Sequence, residues 1–343
     1  MSSSSDITTL VAEMLHLQNT NKNLADQIAG LADGISAVYP LTKMLNEKCK
    51  TSWGNTPFAQ FRVRTSYIMP NGYHKFSELT RGTPDGIESI VAPRGYLHNG
   101  IQYARTDMIE NRGQDKFVDY ISDAIEQARL GSALGMEMRN LGNGTTDANG
   151  DAISDDQPLY GVQYVVNTTP NSGAYYNQTR SASTTYYNNF VEDINSVNGI
   201  TFEKIDKMFS MTTHDGLGPN LVMFSETGYN RCKQLARSDR FVRDNANFDF
   251  GTPSQFEYNG AMFLSNKAMT SKENGGLLDS DMKRVFFLTV HPETMEWRVD
   301  PKDDWGIDPV IKDGYTASFT QDMWWNGQLI IKAPRHQGLF YWA

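Results

Sequence analysis

The sequence predicts an α+β fold, and three observations carry that expectation. Between residues 114 and 140, apolar residues recur at steps of three and four, which sets them on one stripe of a long helix. Between Phe61 and Met69 they alternate instead, as on a strand with one drier face. From residue 201 onward, short helix and strand patterns intermix, and the C-terminal third returns to strands. Composition agrees: the 343 residues are 39% hydrophobic and 21% charged, ordinary proportions for a chain that buries a core. Abundant Gly, Asn, Thr and Tyr favour turns and β structure.

The first forty residues read as a helix. Ile7, Leu10, Met14, Leu17, Leu24, Ile28 and Leu31 fall on one stripe, with Asn21 in the open slot and Ser5 or Asp6 able to cap the start. Two readings stand: a helix packed on its own domain, or an arm lying along a neighbouring subunit. Phe61, Val63, Thr65, Tyr67 and Met69 then form a strand that turns at Pro70-Asn71-Gly72, where Asn-Gly accepts positive φ. Residues Ile101 to Met108 are expected to return as its partner. A two-stranded ribbon this polar has little core of its own and needs a surface to lie against.

Residues 114–140 are the clearest helix. Asp115 and Asp119 sit near its start and Arg139 near its end, as the helix dipole favours. Gly142 is the expected left-handed cap. Such a helix spans on the order of 40 Å and serves as a beam. Beyond it, Leu159 to Val166 is expected as a strand, Thr201 to Phe209 as a helix, Leu221 to Ser225 as a buried strand and Glu226 to Arg237 as a helix. Further strands are expected at Phe256 to Leu264, Arg284 to Val290, Glu296 to Val299, Tyr315 to Trp325 and Gln328 to Lys332. No internal repeat is evident.

The usual catalytic patterns are missing. There is no GxxxxGK[ST] phosphate loop, no HExxH and no GxSxG; Gly131-Ser132-Ala133-Leu134-Gly135 has the wrong spacing and lies within a helix. His16, His74, His98, His214, His291 and His336 are scattered singly, as ordinary core or surface histidines are. Asp147-Ala148-Asn149-Gly150-Asp151 has calcium-ligand types but lacks the full loop and its closing glutamate. It reads as a turn. Trp324-Trp325 and Phe340-Tyr341-Trp342 are bulky anchors for a core or a subunit contact. Cys49 and Cys232 form no cluster and are expected as reduced thiols. No leader pattern opens the chain and no apolar run approaches about 18 residues, so a soluble protein made in a cytoplasm is expected, without catalytic site, cofactor or metal. A net charge of −9 argues against tight nucleic-acid binding.

The order of parts, with local sequence, resembles the Hong Kong 97-type fold of tailed-phage coat proteins. The carrying segments are Asn140-Leu141-Gly142-Asn143-Gly144-Thr145 at the beam's end, Arg240-Phe241 with Phe256-Glu257-Tyr258-Asn259-Gly260-Ala261, and Lys283-Arg284-Val285-Phe286-Phe287-Leu288. Trp325-Asn326-Gly327-Gln328-Leu329 followed by Arg335-His336-Gln337-Gly338-Leu339 completes the set. The resemblance covers residues 110–343 best, the hairpin moderately and the first fifty residues by architecture alone. It implies an N-terminal arm at 1–52, an E-loop β-hairpin at 53–112, a spine helix and P domain at 113–158, an A domain at 159–310 and P-domain C-terminal strands at 311–343.

The implied function is a major capsid protein of a bacteriophage virion. Its hexamers and pentamers would close into an icosahedral head around double-stranded DNA, assembled in the host cytoplasm. Implied partners are a portal, a separate scaffolding protein, since little chain precedes the hairpin, and a possible decoration protein. The expected inter-subunit residues are Ile7, Leu10, Met14 and Leu17 on the stripe, and Asn71, Gly72 and Lys75 near the hairpin tip. Some relatives crosslink a lysine to an asparagine; for Lys75, a solvated hairpin edge is the simpler role. The rival expectations are an encapsulin-like compartment of the same fold with an enzyme cargo, and an α+β enzyme or binding protein with an unrecognised site.

Overall fold

The computed structural model describes residues 39–54, 56–64, 87–104, 114–146, 159–183, 185–238, 255–274, 276–309, 311–312 and 318–342. Along the chain, helix α1 (Pro40–Lys48) leads into strands β1 (Lys50–Ser52), β2 (Phe58–Arg64), β3 (Ile87–Pro93) and β4 (Gly95–Ala104). The beam follows as α2 (Gln114–Leu141), then the single turn α3 (Val162–Val165). A small hairpin, β5 (Ala174–Tyr175) with β6 (Gln178–Thr179), precedes β7 (Phe190–Asp193), α4 (Phe202–Thr212), β8 (Leu221–Phe224) and α5 (Glu226–Ser238). The chain ends through β9 (Gln255–Tyr258), β10 (Ala261–Ser265), β11 (Arg284–Leu288), β12 (Met295–Ile307), β13 (Ile311–Lys312), β14 (Ser318–Ile331) and β15 (Gly338–Tyr341).

Two sheets organise the molecule. One is five-stranded: β1, β12, β14 and β13 in that order, with β4 pairing the other edge of β14. The second has six strands in the order β7-β15-β11-β8-β10-β9. Alternate residues of its central strands enter different cores. Leu221, Met223, Phe286 and Leu288 join the core shared with α1, α2 and the first sheet. Val222, Phe224, Val285 and Phe287 pack under α4 and α5. Burial on both faces is why Leu221-Val222-Met223-Phe224 is an unbroken apolar run.

The beam lies against the first sheet. Asn99 on β4 donates to the Ala128 carbonyl and to Ser132 Oγ, at 3.0 and 2.8 Å. Glu137, fully buried on α2, caps the start of α1. Its carboxylate accepts from the Leu41 and Thr42 amides at 3.2 and 2.9 Å and from Thr42 Oγ1 at 2.5 Å. It also accepts from Asn266 Nδ2 at 2.7 Å, which ties in the turn after β10. Burial holds its pKa above the usual carboxylate value against the pull of these four donors.

Several expectations change. The ribbon's second strand is β3, running from Ile87↔Arg64 to Pro93↔Phe58, and not Ile101 to Met108. Residues 95–104 pair instead with β14 over their whole length, because Leu97 and its neighbours find a core there that a free ribbon lacks. Leu159–Val166 is no strand. Tyr160 and Tyr164 stack at 4.1 Å across one helical turn, and Gly161 sits against the carbonyls of Arg139, Asn140 and Gly142, where a Cβ has no room. Phe256–Leu264 is a hairpin, with Asn259 (φ 53°) and Gly260 (φ 75°) forming its turn. The left-handed glycine after α2 is Gly144 (φ 93°) rather than Gly142, whose amide closes a tight turn onto the Arg139 carbonyl. The strands expected up to Trp325 and from Gln328 are one continuous β14. β12 lies beside β14 in the first sheet, and β15 joins the second. Cys49 and Cys232 are both buried free thiols.

Candidate assembly surfaces

The ribbon β2–β3 is half apolar by alternation. Ala59, Phe61 and Val63, with Ile90 and Ala92 across from them, are buried, while Phe58, Gln60 and Arg62 face outward. The surface that takes its inner face is the chain's own β5–β6 hairpin and the turn that follows it. Phe61 meets Tyr176 edge-on at 5.6 Å, Asn177 Oδ1 accepts from the Val91 amide at 3.0 Å, and Tyr187 Oη donates to Glu88. Behind that contact stands a tyrosine cluster. Tyr175 stacks on Tyr187 at 5.0 Å, and Tyr176 meets Tyr160, Tyr164 and Tyr175 edge-on. Burial pushes the hydroxyl pKa values of Tyr164, Tyr175 and Tyr176 upward, so all stay neutral; Tyr175 and Tyr176 donate to the Ile331 and Leu329 carbonyls, and Tyr164 accepts from the Tyr176 amide.

A second surface is the outward face of the five-stranded sheet. Trp325 points inward and stacks on Trp297 at 5.0 Å. Its neighbour Trp324 points out, 39% exposed, beside Tyr96 and His98 on β4. Trp324 lies 4.4 Å from the His98 ring and donates to Asp308 at 2.7 Å, while His98 contacts Asp322 at 2.9 Å. Charged side chains around this sheet are paired: Glu296 with Arg298 and Lys332, Lys50 with Asp304, and Arg94 with Asp300. Hydrogen bonds from Arg298 and Thr51 and the nearby cations hold the Glu296 carboxyl below its usual range despite its burial. Half-exposed aromatics rimmed by satisfied polar groups are the composition of protein–protein contacts.

The structure also joins two histidines that the sequence scatters. The rings of His214 and His336 meet at 5.4 Å, with Phe190 stacked on His214 and the Arg335–Asp215 ion pair alongside. Burial lowers the proton affinity of both, and Arg335 lowers it further.

Ile7, Leu10, Met14 and Leu17 lie outside the described residues, as do Asn71, Gly72, Lys75 and the turn at 147–151. The structure thus carries the ribbon's base and not its tip. The tyrosine cluster and the histidine pair escape a reading by motif, since each is built from residues distant in sequence. The run of Tyr between 160 and 187 is the one visible signal for the first. Among the described residues, no three His, Cys, Asp or Glu are grouped to hold a metal, and no helix is long and apolar enough to cross a membrane.

These elements define a class: the chain has the fold of the capsid subunits of tailed phages. It superposes on a chain of the cyanophage A-1(L) capsid with a TM-score of 0.64 and 11% identity, over 89% of this chain and 92% of that one. The capsid of a native GTA particle matches with a TM-score of 0.54 and 8% identity, over 86% and 88% of the two chains. A Gordonia phage Cozz structure gives 0.53 and 10%, over 89% and 87%. At the level of sequence, no protein-family model and no curated protein matches the chain.

Proposed function

We propose that this chain is the major capsid protein of a tailed phage, with a structural and not a catalytic role. Copies of it form pentamers and hexamers that close into an icosahedral head around double-stranded DNA. The observation that carries the reading is the near end-to-end superposition on the cyanophage A-1(L) capsid chain. Physical chemistry agrees: a ribbon whose outer face leaves Phe58 exposed and a sheet face bearing exposed aromatics both gain from partner surfaces, and closed symmetry satisfies them without leaving open ends.

Within this reading, residues 1–52 are an arm whose Ile7, Leu10, Met14 and Leu17 lie on a neighbour. Residues 53–112 are the E-loop, with Asn71, Gly72 and Lys75 at the inter-subunit contact. Residues 113–158 and 311–343 serve the P domain and 159–310 the A domain. A portal, a separate scaffolding protein and a decoration protein are the partners of such a head, which assembles in the host cytoplasm. Electron microscopy of the expressed protein is the test. Closed shells with five-fold and six-fold rings are expected; a discrete dimer or tetramer as the sole mature species would overturn the reading.

A further inference from the structure

We propose that the tyrosine cluster is a seat that fixes the angle at which the ribbon leaves the body, with the Glu88–Tyr187 contact as its lock. The inference rests on the capsid reading for its purpose, since a strap that reaches a neighbouring copy must leave at a defined angle. Its geometry stands independently.

Both strands of the ribbon are held at once. Phe61 on β2 meets Tyr176, while Glu88 and Val91 on β3 meet Tyr187 and Asn177. Contacts on two strands restrain rotation as well as distance. The seat is in turn fastened to the five-stranded sheet. Tyr175 Oη donates to the Ile331 carbonyl at 2.6 Å, and Tyr176 Oη accepts from the Ile331 amide at 3.2 Å. Tyr176 stands at φ 53°, a conformation bulky L residues avoid, and persists because ring and hydroxyl contacts over-determine it. Strain retained at a contact, rather than relieved by Gly or Asn, marks a position where geometry matters.

The cluster also encloses a cation. Arg180 is only 3% exposed, and its guanidinium lies 5.6 Å over the Tyr175 ring. Among the described residues the guanidinium makes one hydrogen bond, a long one of 3.4 Å to the Tyr164 carbonyl, and Nε and Nη1 find no acceptor there. A buried cation of this kind is normally matched by a carboxylate. Here the stacked rings of Tyr175 and Tyr187 stand in front of it, and the carboxylate that the stack reaches is Glu88 of the ribbon. Glu88 itself is exposed, so water screens the field of Arg180 there, and the direct hydrogen bond from Tyr187 is what holds the carboxylate. When the ribbon lifts, the buried Tyr187 hydroxyl loses its acceptor, so the seated angle is preferred over its neighbours.

Hydrogen exchange on full-length protein tests the lock, with Tyr187→Phe, which keeps the stacked ring, and Asn177→Ala as an independent second variant. In each, amides of residues 59–63 and 88–92 should exchange about tenfold faster, while the six-stranded sheet is unchanged. Electron microscopy of the same variants should show a wider spread of particle diameters than the unmodified chain gives. Ribbon exchange unchanged in both variants overturns the proposal. So does uniform acceleration across the molecule, which would make the seat ordinary core. If the unmodified chain forms no shells, the capsid reading falls, while the exchange measurement still decides the lock.

Discussion

Replacing Glu137 with Ala would strand the Leu41 and Thr42 amides, the Thr42 hydroxyl and the Asn266 side chain in a dry interior. Each buried donor left without an acceptor costs about 1–3 kcal/mol, and water entering the space recovers part. The expected loss is about 2–4 kcal/mol in chemical denaturation, with α1 the first element to exchange its amides. Nothing in the sequence distinguishes this carboxylate from a solvated one, because its function depends on where α1 arrives. The histidine pair is equally hidden, and it sets a pH dependence. Both rings bind protons more weakly folded than unfolded, so their stabilising share is complete above the unfolded pKa near 6.5. As pH falls through that value, the unfolded chain takes up protons that the folded one resists, and stability drops by up to about 1.4 kcal/mol per pH unit for each ring. Thermal unfolding of the unmodified chain should therefore shift downward between about pH 7 and pH 5. His336→Gln should flatten the slope; an identical slope would remove the pair from the account.

At the scale of elements, β14 is the member on which the first sheet depends, since β4, β12 and β13 all pair with it. It runs unbroken through Asn326-Gly327, a dipeptide that elsewhere in this chain turns a hairpin. Gly327 passes so close to the Arg298 carbonyl and the Trp325 ring that a Cβ would collide with both. Gly327→Ala should cost about 1–3 kcal/mol through forced displacement of the strand, read as a lower urea midpoint with an unchanged slope. The contrast with Asn259-Gly260 shows what local sequence conveys. Asn-Gly marks either a turn with positive φ or a strand pressed against a neighbouring backbone, and only the partner strand decides. Long patterns were legible for the same reason that short ones were not. The stripe of α2 extends over 28 residues and the α5 pattern over 13, enough turns to outvote any local ambiguity. Val162–Val165 is a single turn whose state is set by Gly161 packing on the end of α2. The ribbon's alternation was legible along β2, yet its partner was not, because strand pairing depends on contacts outside both segments.

For the molecule as a whole, the proposed head raises the question of how a wall would contain DNA without gripping it. Duplex affinity comes mainly from Lys and Arg placed against phosphates, each releasing condensed counterions. This chain carries 31 Lys and Arg against 40 Asp and Glu. Placement weakens the basic side further. Arg94, Arg298, Arg335, Lys50, Lys207 and Lys332 are each paired with a carboxylate. Arg284 is largely buried and donates to Gln163, and Arg62 stands on the outer face of a ribbon whose next exposed position on that strand is Gln60. A cation already neutralised offers little to a phosphate, since the new contact must replace the old one at similar energy. The net charge of −9 adds a repulsive field at long range, softened by salt beyond about 10 Å. The unassembled subunit should therefore bind duplex with a Kd no tighter than about 10⁻⁵ M at physiological salt, at the weak end of non-specific association. A head made from it would hold its genome by closure, and the genome would slide along the wall during filling and ejection. Fluorescence anisotropy with a short labelled duplex, across a series of salt concentrations, measures this directly. Submicromolar binding with a steep salt slope would show that a basic face forms from residues that the described pairs do not engage, and confinement by closure alone would fail.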